Sequence, residues 1–112
     1  MTSIRQTVKF EVTELLNAHN YHSWKNDMRA VLTEEGAFKI ITRKETPANS
    51  ETSATARDFY RRADRVASMI YLSVEPTIRT IISSLPKNEI DDPAHIWEFL
   101  RQKYDSASLK SG

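Results

Sequence analysis

The sequence predicts an all-α domain, a small bundle of four to five helices with a short extended N-terminal arm. Only two of its 112 residues are glycine, and one of these is the last residue, which leaves little material for the tight turns of a β fold. Apolar residues instead recur at intervals of three and four in several segments, the period of a helix that buries one face. We therefore divide the chain into an arm (residues 1–15), a helical domain (residues 16–104) and a tail (residues 105–112).

Length and composition narrow the class of protein. A chain of 112 residues holds one domain with one modest core. Without cysteine it has no disulfide, thiolate nucleophile or Cys-ligated zinc. Its net charge of +1 disfavours an autonomous nucleic-acid-binding domain, because phosphate contacts need a clear positive excess. No stretch is apolar for long enough to be a secretion signal or a membrane span, so we expect a cytoplasmic protein without membrane contact.

The arm contains a period-two pattern. Val8, Phe10 and Val12 alternate with Lys9 and Glu11. Such alternation is typical of an extended segment that lies against a core, either as a strand or as an anchored arm.

The first helix is predicted between Asn20, a good N-cap residue, and Gly36, which can end it. Its apolar face consists of Tyr21, Trp24, Met28, Val31 and Leu32. The apolar residues 38–41 are too few to classify, and the polar residues 42–53 predict a surface loop.

Three further helices follow. The longest runs from about Ala54 to Val74, and Pro76 then opens a helix that Pro86 closes. The apolar face of the longest helix consists of Phe59, Ala63, Val66, Ala67, Ile70, Tyr71 and Val74. Asp92-Pro93 begins the last helix, whose apolar face consists of Ile96, Trp97, Leu100 and Tyr104. We expect Trp24 and Trp97 in the core.

Several polar pairs could carry chemistry. His19-x-x-His22 has the spacing of two metal ligands on a helix, but the sequence offers no evident further ligands nearby. Asp91-Asp92 and Glu34-Glu35 could act as paired carboxylates, although Asp92 is explained more simply as a helix cap. Motifs of serine nucleophiles and phosphate-binding loops are absent from the sequence. We expect no enzyme, cofactor, metal site or small-molecule substrate.

A row of arginines is predicted on the outer side of the longest helix. It consists of Arg57, Arg61 and Arg65, with Arg62 beside them. Asp58 can pair with Arg62, and Asp64 with Arg61, which leaves a local charge of about +2. The row fits a solvated helix face, an interface with a protein partner, or direct RNA contact.

Three blocks of sequence follow one another over roughly residues 10–104. The first contains Leu16, Asn20-Tyr21-x-x-Trp24, Met28 and Leu32; the second contains Phe59-Tyr60 and Asp64-x-x-Ala67-x-x-Ile70-x-Leu72; the third is Ala94-x-x-Trp97-x-x-Leu100-x-x-x-Tyr104. In this order they resemble the N-terminal part of the capsid-like region in the Gag polyprotein of copia-type LTR retrotransposons. Ala18 stands where that family usually has glycine.

The resemblance implies a domain like the N-terminal domain of a capsid protein. Its copies would associate with one another into a virus-like particle around the RNA of the transposable element, through weak contacts repeated by symmetry. RNA would be bound indirectly, because the second capsid domain and zinc knuckle usual in the family are not among these residues. The tail would then be a linker to that second domain. Candidate contacts are Arg57, Arg61, Arg65 and residues 42–53.

Two other functions stay open. A domesticated Gag-derived module would bind a peptide or protein in a groove between helices. A small helix-turn-helix protein would bind nucleic acid, although the helix after Pro76 has Arg79 as its only basic residue.

Overall fold

The computed structural model describes residues 14–47 and 53–111, with the side chains of the last helix described as far as Asp105. This part of the chain forms six α-helices: α1 (Tyr21–Glu34), α2 (Phe38–Ile41), α3 (Ala54–Leu72), α4 (Pro76–Ser83), α5 (Lys87–Ile90) and α6 (Pro93–Ser111). The all-α prediction is confirmed. The four longer helices lie where periodicity predicts them, and α2 and α5 add one turn each. The alternating residues 8–12 lie outside the described residues.

Asn20 stands at the N-cap position of α1, but its side chain does not cap the helix. Its Oδ1 atom accepts a hydrogen bond from the Asn17 backbone N–H at 2.8 Å, and its Nδ2 atom donates to the Leu15 carbonyl at 3.0 Å. The predicted capping role is therefore wrong. The amide braces the turn before the helix, because an asparagine side chain readily replaces backbone groups in a turn.

Gly36 ends α1 as predicted, with a positive φ of 70°. The Ala37 N–H donates to the Leu32 carbonyl at 2.8 Å, and the Gly36 N–H donates to the Thr33 carbonyl at 3.0 Å. This pair of bonds is a Schellman motif, which satisfies the last carbonyls of a helix and favours glycine at its left-handed position.

The connection between α2 and α3 is partly described. Residues 38–41, too few to classify from sequence, form the single turn α2, which buries Ile40 and Ile41. The predicted loop is nonhelical where it is described, and residues 48–52 lie outside the described part. At its end the Ser53 hydroxyl accepts a hydrogen bond from the Ala56 N–H at 3.0 Å and caps α3.

The corner between α3 and α4 is hydrogen-bonded to two other segments of the chain. The Ser73 carbonyl accepts hydrogen bonds from the Leu16 N–H at 3.0 Å and from the buried indole N–H of Trp24 at 2.9 Å. The Glu75 N–H donates to the Leu16 carbonyl at 3.1 Å, so Leu16 and Val74 form a short parallel bridge. The entering chain, α1 and this corner are thereby fixed to one another.

The core lies between α1, α3 and α6, with α2 and α4 closing its ends. Trp24 and Trp97 are buried as predicted, and their ring centroids lie 5.5 Å apart. Phe38 meets the Trp97 ring edge-on at 6.3 Å. The core also contains Leu16, Tyr21, Met28, Leu32, Val66, Ile70, Ile82, Ile96, Leu100 and Tyr104. These rings and branched chains supply most of the apolar burial that stabilises so small a domain.

The ends of two predicted helices differ from expectation. α3 ends at Leu72 rather than Val74, and Tyr71, assigned to its apolar face, is 37% exposed. The last helix begins as predicted, with Asp92 Oδ1 accepting from the Ala94 N–H at 3.1 Å. The apolar periodicity stops at Tyr104, but the helical backbone continues to Ser111.

We expect Trp24→Phe to destabilise the fold more than Trp97→Phe, by about 1 kcal/mol. Both changes remove part of a core ring, but only the first also removes the hydrogen bond to the Ser73 carbonyl. Within the described residues the Trp97 indole makes no such bond. Urea titration of the two variants measures the difference. Equal losses would show that the indole bond contributes nothing beyond packing.

Candidate functional site

The three candidate arginines lie on the outer side of α3, as expected. All are exposed, and 69% of the Arg61 side chain is open to solvent. Arg61 does not pair with Asp64 as predicted; its Nη2 atom lies 2.5 Å from Asp58 Oδ1. The predicted pair of Asp58 and Arg62 is confirmed at 2.8 Å. One carboxylate thus serves two arginines, because residues three and four apart meet on a helix surface.

Arg62 is the most firmly held of these arginines. Its Nη1 and Nη2 atoms donate to Glu45 Oε1 and Oε2 at 3.1 and 2.6 Å, a two-point pairing across the surface. Only 20% of the side chain is exposed. Hydrogen bonds from this guanidinium lower the pKa of Glu45 and of Asp58. Sequence reasoning missed the Glu45 contact because the two residues lie 17 positions apart and belong to no shared periodic pattern.

Two further ion pairs join separate elements. Arg65 Nε lies 3.1 Å from Glu35 Oε1 at the end of α1, and Arg43 Nη2 lies 2.9 Å from Asp92 Oδ2. The arginine row is therefore largely neutralised by acids of its own chain. Its charge does not favour a polyanionic partner such as RNA, which requires uncompensated positive charge.

A long shallow groove runs along the neighbouring face of α3. It consists of two adjoining clefts, of about 460 Å³ beside α4 and about 250 Å³ beside the residues after α2. Asp64 and Asp91 line both clefts. Tyr60 lines the smaller cleft and Tyr71 the larger one, and both tyrosine side chains are exposed. The groove is walled by apolar side chains and carries acidic groups near its middle.

The residues of the three sequence blocks separate into two groups. Most are buried together in the core: Leu16, Tyr21, Trp24, Met28, Leu32, Ile70, Trp97, Leu100 and Tyr104. Two motif residues of the second block lie outside the set of buried core residues, although Ala67 packs against that core. Asp64 is exposed and Ala67 is half-buried, and both line the groove, because they lie to one side of the α3 stripe that faces the core.

Several members of the polar pairs that the sequence singled out have ion-pair partners within the chain. His22 Nε2 lies 3.3 Å from Asp105, and His95 Nε2 lies 3.0 Å from Glu89. Asp91 pairs with Lys87 at 3.1 Å. Over residues 14–47 and 53–111 no group of three or more His, Cys, Asp or Glu side chains is placed to hold a metal ion.

Arg79, the basic residue of α4, is also committed within the chain. Its guanidinium donates to the carbonyls of Tyr71, Leu72 and Val74 at 3.0–3.1 Å and lies 5.6 Å from the centre of the Tyr71 ring. A cation at this position satisfies the open carbonyls at the end of α3.

Comparison of the chain with protein-family models, with curated proteins and with solved structures gave no match. Among the helices that the structure describes, none is both long and apolar enough to cross a membrane.

We expect Arg62→Ala to lower the free energy of unfolding by about 1–2 kcal/mol, because it removes a half-buried, two-point ion pair. Arg61→Ala, at the neighbouring exposed position, should change stability by less than about 0.5 kcal/mol. Thermal or urea unfolding of both variants measures the contrast.

The Arg62→Ala variant should also change how the stability of the fold depends on pH. In the folded chain Arg62 holds the carboxyl pKa values of Glu45 and Asp58 below their ordinary values of 4.5 and 3.8. The resulting stability is present above those ordinary values and is lost as pH falls below them, through the lowered pKa values of the folded chain. Stability of Arg62→Ala should therefore decline less steeply in acid than that of the parent chain. Parallel acid profiles would contradict this role for Arg62.

Tyr21 gives a prediction at alkaline pH. Burial, assisted by the Asp105 carboxylate, raises the pKa of Tyr21 to about 12 from its ordinary value of 10.0. Because the unfolded chain loses this proton first, stability should fall between pH 10 and 12, by roughly 2 kcal/mol. Tyr21→Phe should remove most of this fall while costing little at pH 7, since the hydroxyl has no hydrogen-bond partner among the described residues.

Exposed Tyr60→Phe is the matched control. It removes a phenol without touching the core, so its alkaline unfolding profile should follow that of the parent chain. A Tyr21→Phe profile that coincides with the control would contradict the assignment.

Proposed function

We propose that this chain is the N-terminal capsid-like domain of a copia-type Gag polyprotein and that it acts by associating with further copies of itself. In the complete protein this association would build a shell around the RNA of the element in the cytoplasm. The observation that supports the proposal is the common core of the three sequence blocks. Side chains from segments some 80 residues apart pack together, so the resemblance extends over one folded unit.

The contacts that hold the segments of this domain together suit such a role. A shell subunit must keep its shape while many weak contacts act together. Here the Ser73 carbonyl fixes the chain entry, and ion pairs of Arg62 and Arg65 hold the outer surface of α3 to neighbouring segments. The contacts between copies would then join rigid bodies.

The ion pairs also refine which arginine can serve as a contact. Arg62 and Arg65 already bind acids elsewhere in the chain, so changing them would disturb the fold. Among the described residues Arg61 pairs with Asp58 on its own helix surface, and its side chain is far more exposed than that of Arg62. We therefore place the contact between copies at Arg61 and the adjoining exposed surface of α3.

A second candidate function is supported by the groove beside α3. A domesticated Gag-derived module would bind a peptide or protein there, and exposed apolar side chains such as Leu72 are typical of such surfaces. The nucleic-acid alternative has less support, since the arginines of α3 and α4 described above are engaged with groups of the same chain.

Sedimentation velocity over a wide range of protein concentration tests the proposal, with absorbance recorded at 260 and 280 nm for every species. We expect reversible self-association without bound nucleic acid. Arg61→Glu should weaken it about tenfold, since a like charge at a contact raises dissociation. Arg101→Glu is the control, because Arg101 is likewise exposed and paired three residues away, with Glu98, on α6.

A strict monomer at every concentration would contradict self-association of this domain and favour the partner-binding module. Equal association of the Arg61→Glu and Arg101→Glu variants would contradict the contact at Arg61. A species with excess absorbance at 260 nm would instead support direct nucleic-acid binding.

A further inference from the structure

Helix α3 carries most of the large apolar side chains that are exposed. Of the four such side chains in the part of the chain whose side chains are described, three lie on α3, namely Tyr60, Tyr71 and Leu72. Apolar side chains that are grouped on one element, rather than scattered singly, are typical of a surface that another protein covers. The exposed side of α3 is therefore the candidate for such a contact.

Four exposed residues form a line along the middle of this side of α3. Arg57, Arg61, Asp64 and Ser68 lie within about 60° of one another around the helix axis, opposite the buried Val66. We call these four residues the outer row. The outer row contains both signs of charge, with the basic residues toward the beginning of the helix and the acidic one in its middle.

Asp64 is the member of the outer row that is left without a partner. It lies three positions after Arg61, but Arg61 pairs with Asp58 instead. In the described part of the chain the exposed Asp64 carboxylate makes no ion pair or hydrogen bond. The bond to Asp58 uses one of the five N–H donors of the Arg61 guanidinium, so Arg61 can bind a second carboxylate. Each chain thus offers a carboxylate and a guanidinium that can pair outside it.

Two copies of α3 that lie side by side in opposite directions bring these groups together. With a twofold axis midway between positions 61 and 64, Arg61 of each copy faces Asp64 of the other. The same axis sets Tyr60 opposite Arg65, an aromatic ring opposite a cation that it attracts. Parallel helices would set Arg61 against Arg61 and Asp64 against Asp64, where like charges repel. Charge therefore favours the antiparallel arrangement.

The size of this face indicates a weak contact. A helix of 19 residues presents a face about 28 Å long and about 10 Å wide. This is well below the roughly 800 Å² that each partner contributes to a stable interface. Contacts of this strength suit an assembly in which many of them act together.

We propose that the outer row of α3 is a self-complementary contact, through which two copies pair antiparallel about a twofold axis with reciprocal ion pairs between Arg61 and Asp64. This inference rests on the self-association proposed above and identifies the group that Arg61 meets in the second copy.

A charge exchange between two variants tests the pairing. Arg61→Asp sets two carboxylates against each other at both ion-pair positions, and Asp64→Arg sets two guanidinium groups there. Each variant alone should therefore self-associate about tenfold more weakly than the parent chain. Mixed in equal amounts, the two variants restore both ion pairs. Sedimentation velocity of the mixture should show a heterodimer whose dissociation constant lies within about threefold of the parent value.

The matched control is the pair of variants Glu98→Arg and Arg101→Asp. Glu98 and Arg101 form an exposed ion pair with the same spacing on α6, and these variants have the same net charges as the test variants. We expect them to associate as the parent chain does, alone and mixed. The same loss and recovery in the control would show general attraction between charged chains and overturn the proposal.

The failure of this pairing is distinguishable from the failure of self-association. If the parent chain associates and the test variants associate equally well, the antiparallel pairing is overturned and another surface joins the copies. A parent chain that stays monomeric at every concentration overturns both proposals.

Disulfide formation tests the direction of the two helices, since the chain has no cysteine. In the antiparallel pair, Arg57 of one copy faces Ser68 of the other, whereas the two Arg57 residues lie about 16 Å apart along the axis. A disulfide needs Cα atoms within about 7 Å. A mixture of Arg57→Cys and Ser68→Cys chains should therefore yield about tenfold more of the mixed disulfide than of either symmetric one. Symmetric disulfides as the main product, or yields in random proportion, would overturn the proposal.

Discussion

The hydrogen bond from the Trp24 indole to the Ser73 carbonyl is the contact on which the rest of this fold depends. It joins α1 to the end of α3 across 49 residues, and the same carbonyl receives the Leu16 backbone at the point where the chain enters. Because the bond is buried, an unpaired indole or carbonyl there would be costly. Its geometry places the Trp24 ring against Trp97, and thereby brings α6 onto the same core. Small domains have few such contacts, so each one carries a large share of their stability.

Several charged residues around the Trp24–Ser73 contact pair with groups of the same chain. Arg62, Arg65 and Arg79 each connect segments that are separate in sequence, and each leaves little free positive charge on the surface. A surface of this kind recognises a partner through shape and apolar area, with charge acting on orientation and on the rate of encounter. Protein contacts therefore fit the observed surface better than phosphate contacts do.

The contact proposed at Arg61 and the cleft beside α4 belong to different parts of α3. Arg61 lies on its outer side, where rigid copies could meet, whereas the cleft lies on the side toward α4. Tyr71 and Leu72 are exposed at the edge of the cleft, and exposed apolar side chains of this kind promote contact between proteins.

The sequence by itself determined the helical class, the positions of the four longer helices and the burial of both tryptophans, because apolar periodicity and helix-ending residues act within a few positions. Gly36 and Asp92 were predictable for the same reason. Only the tertiary structure decided the partner of Arg62, the exposure of Tyr71 and the cleft that Asp64 lines. These features depend on residues distant in sequence, and on the angle at which α4 and α6 meet α3, which no local pattern encodes.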